Sequence, residues 1–403
     1  MSLPYSLAAV PLLFLLPPCA SAVPGLPSPI PQAAESESPS SPSRSINMSD
    51  REKAGLHGPV QTCIEDFVYP TGKYSIATEY NIDGKLLSSR STNSDGSLWV
   101  TTQSYDPKGR LTTRVSGKLG EPGLESLYLY DDFGRLLNIT NNLRKGDRIE
   151  FHYDAQGRKT SIQSFASESL QIMQNAAFGG SHWDAAQMGM GVPVGGSVTT
   201  SFDQDDQPTE VQVFDAQGQL VSRIVRSYDA NGQLSQEKPD WINPASLLLD
   251  RMPAEQRGQA SPEQIKQLSK VMASVMAGQA PAGTTYTYDP QNRLTNSRER
   301  SLIFQKTTSI AYNDQGDKAE ERTTYTENSV IPVGVVFSLG ENGEVRPSSS
   351  AAQPPPPPPL PEPSVIRYTY QYDSYANWTQ QIADDPTHTS QPPTVRNRTI
   401  TYY

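Results

Sequence analysis

The stretch "SYDPKGRLTT", residues 104–113, is one copy of a pattern from which the secondary structure of this chain can be predicted. Related copies follow it along the chain: "LYDDFGRLLN" from Leu129, "HYDAQGRKTS" from His152, "SYDANGQLSQ" from Ser227 and "TYDPQNRLTN" from Thr287. The Tyr residues that mark this pattern are 25, 25 and 23 residues apart at Tyr80, Tyr105, Tyr130 and Tyr153. A fixed spacing in this range is the signature of a repeat architecture.

Each copy has the chemistry of a tight turn. In Tyr-Asp-x-x-Gly-Arg-Leu the Asp begins a type I turn, and its carboxylate accepts hydrogen bonds from backbone N–H groups that follow. The Gly takes the position that needs a positive φ, and Asn292 replaces it in one copy because Asn tolerates that region. This arrangement predicts a hairpin with a bulge. The residues assigned to these structural turns are Tyr105, Asp106, Gly109, Tyr130, Asp131, Gly134, Tyr153, Asp154, Gly157, Asp215, Gly218, Tyr228, Asp229, Gly232, Tyr288, Asp289, Asn292, Tyr372 and Asp373.

The segments between the turns alternate as strands do. In "RIEFHY", residues 148–153, Ile149, Phe151 and Tyr153 share one face and the polar residues share the other. Because "VFDAQGQL" falls midway between Phe202 and Tyr228, a turn recurs about every dozen residues. We predict an all-β fold, an antiparallel meander of consecutive hairpins that forms one long curled sheet with a short helical insert.

Composition limits the possible partners. The 403 residues carry a net charge of −10, and no run of Lys or Arg interrupts this acidic balance, which argues against nucleic-acid binding. Only 35% of the residues are hydrophobic, but 19 Tyr and many Thr favour sheet over disorder.

The first residues resemble an export signal. Leu7 to Leu16 form an apolar core too short to span a bilayer, and Ala20-Ser21-Ala22 is a small-x-small cleavage site. We predict a signal peptide at 1–22, a secreted or periplasmic protein and no transmembrane span after cleavage. An uncleaved anchor and a lipidated Cys19 are the alternatives. After cleavage only Cys63 remains, so no intramolecular disulfide is expected.

Low-complexity segments divide the rest of the chain. Residues 23–57 are rich in Pro and Ser and predict a disordered linker before a repeat domain at 58–403. Inserts interrupt the repeats at about 167–198, 237–282 and 328–364. The second contains "SPEQIKQLSKVMASVMAGQ" and predicts a helix at 262–277, which lies on the sheet or binds a partner. The third contains "QPPPPPPLPEP", a polyproline spacer or a ligand for an aromatic groove.

Taken together, the copies resemble the YD repeats of bacterial Rhs-type surface proteins. "YDSYANWTQQ", residues 372–381, resembles a variant found near the end of some secreted members. The resemblance covers 58–403 without the inserts, and it implies hairpin strips that curl, with a hollow shell in long members. Ala376 stands where the family has Gly, so that turn either shifts onto Asn377 or accepts strain. We see no Rhs core or toxin segment, and we expect about ten hairpins to be too few for a closed container.

The sequence offers little support for catalysis, and we predict no catalytic residue, cofactor or metal. His57, His152, His182 and His388 are not spaced as metal ligands. Ser181, His182 and Asp184 are neighbours in "GGSHWD", whereas hydrolase triads are assembled from distant segments. Asp203, Asp205 and Asp206 have two interpretations, a calcium site or an ordinary solvated turn.

Adjacent carboxylates occur at Asp131-Asp132, Asp205-Asp206, Glu320-Glu321 and Asp384-Asp385. Most lie where turns already call for Asp.

Three hypotheses for function remain. The first is a non-enzymatic exported scaffold or binding module, with glycans as the suggested ligand. The second is a glycan-directed hydrolase built from the inserts around His182, Trp183 and Asp184. The third is a module that binds an envelope protein through the helix at 262–277.

Overall fold

The fold is known from a computed structural model of the chain. It describes residues 48–69, 72–92, 95–142, 146–165, 195–242, 266, 283–300, 304–327, 337–339, 345–347, 359–387 and 392–403. The predicted signal peptide, the linker up to residue 47, nearly all of the predicted helix at 262–277 and most of each insert lie outside these residues.

The described elements are almost all strands. One short helix, α1 (Asp50–Lys53), precedes them. The strands are β1 (Val60–Tyr69), β2 (Gly72–Tyr80), β3 (Leu86–Thr92), β4 (Leu98–Tyr105), β5 (Leu111–Lys118), β6 (Leu124–Tyr130), β7 (Leu136–Asn141), β8 (Arg148–Tyr153), β9 (Lys159–Phe165), β10 (Ser197–Phe202), β11 (Pro208–Phe214), β12 (Leu220–Tyr228), β13 (Leu234–Trp241), β14 (Gly283–Tyr288), β15 (Leu294–Arg300), β16 (Phe304–Tyr312), β17 (Lys318–Glu327), β18 (Phe337–Leu339), β19 (Val345–Pro347), β20 (Ser364–Tyr372), β21 (Trp378–Asp384) and β22 (Thr394–Tyr402). Among the described residues, no helix has the length and apolar character needed to cross a bilayer.

Twenty strands form one antiparallel sheet in which each strand pairs with the next, so the predicted hairpin meander is confirmed. β18 and β19 pair separately in a two-stranded sheet, and β17 pairs directly with β20. The first strand β1 pairs with β2 on one side and with the last strand β22 on the other. The sheet is therefore closed into a barrel.

This closure corrects two predictions, an open curled sheet and a hairpin number too small for a container. The contacts that close the barrel join residues more than 300 positions apart, as in the pair Cys63 and Ile400. Local turn chemistry carries no information on such a pairing. Closure also removes both exposed sheet edges, which would otherwise offer unpaired backbone groups to other chains.

One face of the barrel wall carries a row of buried side chains. Ile139 lies opposite Ile149, Ile149 opposite Ser164, Ser164 opposite Val198 and Val198 opposite Val213, and all five are buried. Directly paired residues share a face of a sheet. Because side chains converge on the concave side of a closed sheet, we assign this row to the inner face.

The inner face also holds a buried ion pair. Arg226 of β12 donates from Nε to Oε1 of Glu237 on β13 at 2.9 Å, and their side chains are 2% and 0% exposed. Tyr286 of β14 donates to the second oxygen of Glu237 at 2.7 Å. These bonds compensate the carboxylate for the water that it loses on burial.

The outer face is polar and carries ion pairs both within a strand and between neighbouring strands. Arg223 bonds to Asp240, and Glu320 accepts from both Arg322 and Arg367. Hydrophobic side chains on this face, such as Leu127, are exposed.

The segment before β1 belongs to the folded unit from residue 48 onward, which corrects the predicted linker boundary at 57. Ser49 caps α1 through a capping box with Glu52. Leu56 is 2% exposed and packs against Val60, Cys63 and Tyr80. Burial of an apolar side chain anchors this polar segment to the inner face.

Two insert boundaries also change. Residues 197 and 198 belong to β10, and residues 237–241 belong to β13. The flanking strands therefore run further into the inserts than the repeat spacing indicates.

Candidate functional site

The two ends of the barrel differ in their connections. At one end, the turn rim, turns begin at Asn81, Asp106, Asp131, Asp154, Asp203, Asp229, Asp289, Asn313 and Asp373. At the other end, the insert rim, the three long inserts join β9 to β10, β13 to β14 and β17 to β20. The turn that begins at Asp215 joins β11 to β12 and so lies at the insert rim, away from the other assigned turns.

Each turn of the turn rim follows one geometry. In the first assigned copy, Gly109 donates its N–H to the carbonyl of Asp106 at 2.8 Å and has a φ of 74°. The Asp106 carboxylate accepts the backbone N–H of Arg110 at 2.8 Å and its Nε–H at 2.7 Å. The Arg110 backbone N–H holds the pKa of Asp106 below its ordinary value, and the Arg110 side chain contributes in the same direction. The register shifts between Ser104 and Tyr105, which is the bulge.

Other assigned residues occupy the same places in their own turns. Gly134, Gly157, Gly218 and Gly232 have positive φ, and Asn292 takes this position with a φ of 66°. Asp131, Asp154, Asp215, Asp229, Asp289 and Asp373 each accept the backbone N–H four residues ahead. The turn at Asp373 does not shift, because Ala376 itself adopts a φ of 64°.

The Tyr residues of the motif bind neighbouring hairpins together. At six positions the hydroxyl donates to a backbone carbonyl of the preceding hairpin at 2.7–2.9 Å, as in Tyr130 to Leu111 and Tyr228 to Pro208, whereas Tyr372 donates to the Asp317 carboxylate. Tyr105, Tyr153, Tyr288 and Tyr312 make the same bond. Burial raises the pKa of Tyr228 to about 12, so its hydroxyl remains a donor at neutral pH.

The Arg residue of the motif has a role that the sequence reasoning missed. The Arg110 guanidinium lies 4.8 Å from the ring of Tyr130 in the next hairpin, and Arg135 lies 4.9 Å from that of Tyr153. Such cation–π contacts add to the hydroxyl bonds. The regular 25-residue spacing was the signal that could have revealed them. The turn rim is therefore a ring of structural contacts.

At the turn rim no turn joins β22 to β1, and residues near the two ends of the folded unit make contacts there instead. The buried amide of Asn377 accepts the N–H of His57 at 2.6 Å and donates to the His57 carbonyl and to the Tyr402 hydroxyl. Tyr402 in turn donates to Asp373, and Tyr403 donates to the carbonyl of Tyr80. Asn377 stands where the other turns that begin with Asp carry Arg or Gln, and it joins the last turn to both ends of the folded unit.

Where β1 meets β22, the inner face carries a cluster that we call the seam site. It comprises Glu65, Phe67, Tyr69, Tyr74, Trp378, Gln381, Arg396 and Arg398. The rings of Phe67 and Tyr74 are stacked 4.2 Å apart at an angle of 10°, and Tyr69 lies parallel to Tyr74 at 5.8 Å. Tyr69, at the end of β1 on the insert rim, is 38% exposed.

Charged groups border these rings. The Glu65 carboxylate accepts from Nε of Arg396 at 2.9 Å and from Nε of Arg398 at 3.0 Å. The Arg396 guanidinium lies 4.7 Å from the ring of Phe67, and the Arg398 guanidinium lies 3.5 Å from that of Trp378. Two guanidinium groups and one carboxylate leave a net positive charge beside the aromatic stack.

Residues considered for chemistry fall in ordinary structural positions or outside the described residues. Asp203 accepts the N–H groups of Asp205 and Gln207, and Asp206 pairs with Lys159. Within the described ranges, no group of three or more His, Cys, Asp or Glu is arranged to hold a metal. Ser181, His182, Trp183 and Asp184 lie in the insert between β9 and β10, outside the described residues.

No protein-family model and no curated protein matches the sequence. Among solved structures, a porin-like protein from Bacteroides uniformis is similar, with 10% identity over 86% of this chain and 99% of that chain and a TM-score of 0.30. A TcdB2-TccC3 structure has 11% identity over 79% of this chain and 17% of its own, with a TM-score of 0.31. A Photorhabdus luminescens Tc holotoxin pore has 12% identity over 78% and 15%, with a TM-score of 0.31. The fold of this chain is defined by its own strand pairing.

Proposed function

We propose that this protein is an exported, non-enzymatic β-repeat barrel that binds a glycan. The observation that carries the proposal is the seam site, where a partly exposed aromatic stack lies next to charged and amide side chains. Aromatic faces suit the apolar faces of sugar rings, and Arg, Glu and Gln side chains suit their hydroxyl groups.

The positions of the acidic residues support a non-enzymatic role. Sugar hydrolysis uses two carboxyl groups about 5–10 Å apart on either side of the bond that is cleaved. Glu320 lies on the outer face with Arg322 and Arg367, whereas the adjacent Glu321 is opposite Ile366 on the inner face. This adjacent pair is divided between the two faces of the barrel wall.

The outer face supports a location in water. Its ion pairs between strands, such as Arg223 with Glu210 and Asp240, would be costly against lipid acyl chains. Export itself is proposed from the apolar leader and its cleavage site, and secretion and a periplasmic location both fit it.

Membership of the YD-repeat class is part of the proposal. The recurring Asp and Gly geometry and the Tyr bonds between hairpins are what such repeats would need to form a wall. The toxin delivery associated with large relatives is not carried over.

A glycan panel tests the proposal. Full-length purified protein carries a label at a position distant from Tyr69. It is applied to immobilised neutral, amino and acidic oligosaccharides, and the amount of protein retained is measured after washing. Retention of one glycan class, reduced by Tyr69→Ala but not by Phe133→Ala at an exposed turn, would support the proposal. A protein that is folded by circular dichroism and retains no glycan would refute it.

A second candidate is protein binding at the insert rim, since all three long inserts leave the barrel there. Four paired strands separate the first insert from the second, and four separate the second from the third. Replacing residues 262–277 with a Gly-Ser linker should abolish capture of an envelope protein if the predicted helix forms the contact.

A further inference from the structure

We infer that the seam site selects acidic glycans, with a uronic-acid saccharide as the ligand class. This inference rests on the proposed glycan-binding function and names the chemistry of its ligand.

The aromatic part of the site provides a surface for one sugar ring. Phe67, Tyr74 and Tyr69 are nearly parallel, with angles of 8–14° between their planes. Tyr69 is the most exposed of the three and terminates β1 at the insert rim. A saccharide that enters from this rim meets the Tyr69 ring first and stacks on it.

The charged part of the site favours a carboxylate. The whole chain carries −10, yet Arg396, Arg398 and Glu65 leave a local positive charge on the inner face. Arg396 is 22% exposed at its side chain, and Arg398 is 4% exposed, so Arg396 is the group that a ligand reaches. Its planar guanidinium bonds to Glu65 and Gln381, and its five donors in all suit the oxygens of more than one acceptor, a carboxylate included.

Gln381 helps to hold the Arg396 guanidinium close to the Phe67 ring. Arg396 lies 4.7 Å from the Phe67 ring, and its Nη1 donates to Oε1 of Gln381 at 3.1 Å. The Gln381 amide donates to the Tyr370 hydroxyl at 3.0 Å. The stack, the guanidinium and the amide thus lie together on the inner face, which is the arrangement for a sugar ring that bears a carboxyl group.

Binding of two matched probes tests the inference. Full-length protein is titrated with a galacturonic-acid hexamer and with maltohexaose, which is neutral and of the same length. We expect the uronate hexamer to bind at least tenfold more tightly. Tyr69→Ala should lower the affinity for the uronate hexamer about tenfold, which is the scale of an aromatic contact. Phe133→Ala, which removes an exposed ring at the turn rim, is the matched control and should change it less than twofold.

Arg396→Gln tests the charge, with Arg367→Gln on the outer face as its control. We expect Arg396→Gln to lower the affinity for the uronate hexamer about tenfold and to leave the affinity for maltohexaose unchanged. If Arg396→Gln does not fold, raising the salt concentration with wild-type protein gives the same information, since uronate binding alone should weaken.

Equal affinity for the two hexamers, or uronate binding that persists in both seam variants, overturns the inference. Retention of neutral glycans alone overturns it while leaving the proposed function in place. Retention of no glycan at all removes both.

Discussion

The two rims of the barrel are built on different principles. At the turn rim, nine described turns repeat one local geometry, and Tyr and Arg side chains connect most neighbouring hairpins. At the insert rim, connections range from two residues between β1 and β2 to inserts of more than 25 residues. The repeat therefore stabilises one end of the barrel wall, and connections of very different length are accommodated at the other end.

The largest expected difference between the rims comes from the chain termini. Removing Tyr402 and Tyr403 should lower the free energy of unfolding by about 3 kcal/mol, because a packed aromatic ring and several hydrogen bonds are lost. Replacing residues 172–188 of the first insert with a short Gly-Ser linker should change it by less than about 1 kcal/mol. Urea denaturation of the two variants measures both values, and equal losses would contradict the division of roles.

A smaller effect isolates one bond between hairpins. Tyr228→Phe removes only the hydroxyl that donates to the Pro208 carbonyl, and it should cost about 1 kcal/mol because a partly buried acceptor loses its partner. Tyr375→Phe is the control, since the Tyr375 side chain is 46% exposed at a turn tip. A cost for Tyr228→Phe no greater than that of the control would show that the hydroxyl bonds do not stabilise the turn rim.

The smallest effect is a gain in stability. Ala376 has a φ of 64°, where a Cβ atom is unfavourable, so Ala376→Gly should stabilise the protein by up to about 1 kcal/mol. In β16, Ala311→Gly should destabilise it by about 0.5–1 kcal/mol, because glycine there only adds chain entropy to the unfolded state. Thermal denaturation of both variants shows whether each substitution raises or lowers the stability. A loss of stability for Ala376→Gly would mean that the turn tolerates alanine without strain.

Much of the fold could be predicted because the turn is a local device. The Asp106 carboxylate and the N–H groups that it accepts lie within four residues, so the sequence pattern contains the whole interaction. The bulge, the strand alternation and the antiparallel order follow from the same short stretch. The boundary at residue 57 was missed because Leu56 and the capping box of α1 lie in a polar segment whose composition resembles a linker.

The candidate site could not be predicted in the same way. Glu65 and Arg396 are 331 residues apart, and neither belongs to the repeated motif. Each alone is an ordinary charged residue on a strand. Their meeting depends on which strand pairs with the free edge of β1, and no spacing within a repeat reports that choice.

The positions of the turns and the alternation of residues along the strands follow from the amino-acid sequence alone, because those interactions extend over four residues or one hairpin. The pairing of β22 with β1, the assignment of the buried face to the inside and the aromatic and charged cluster where these strands join appear only in the assembled barrel. Closure depends on the sum of twist and register over twenty strands, and each repeat contributes a small part of that sum.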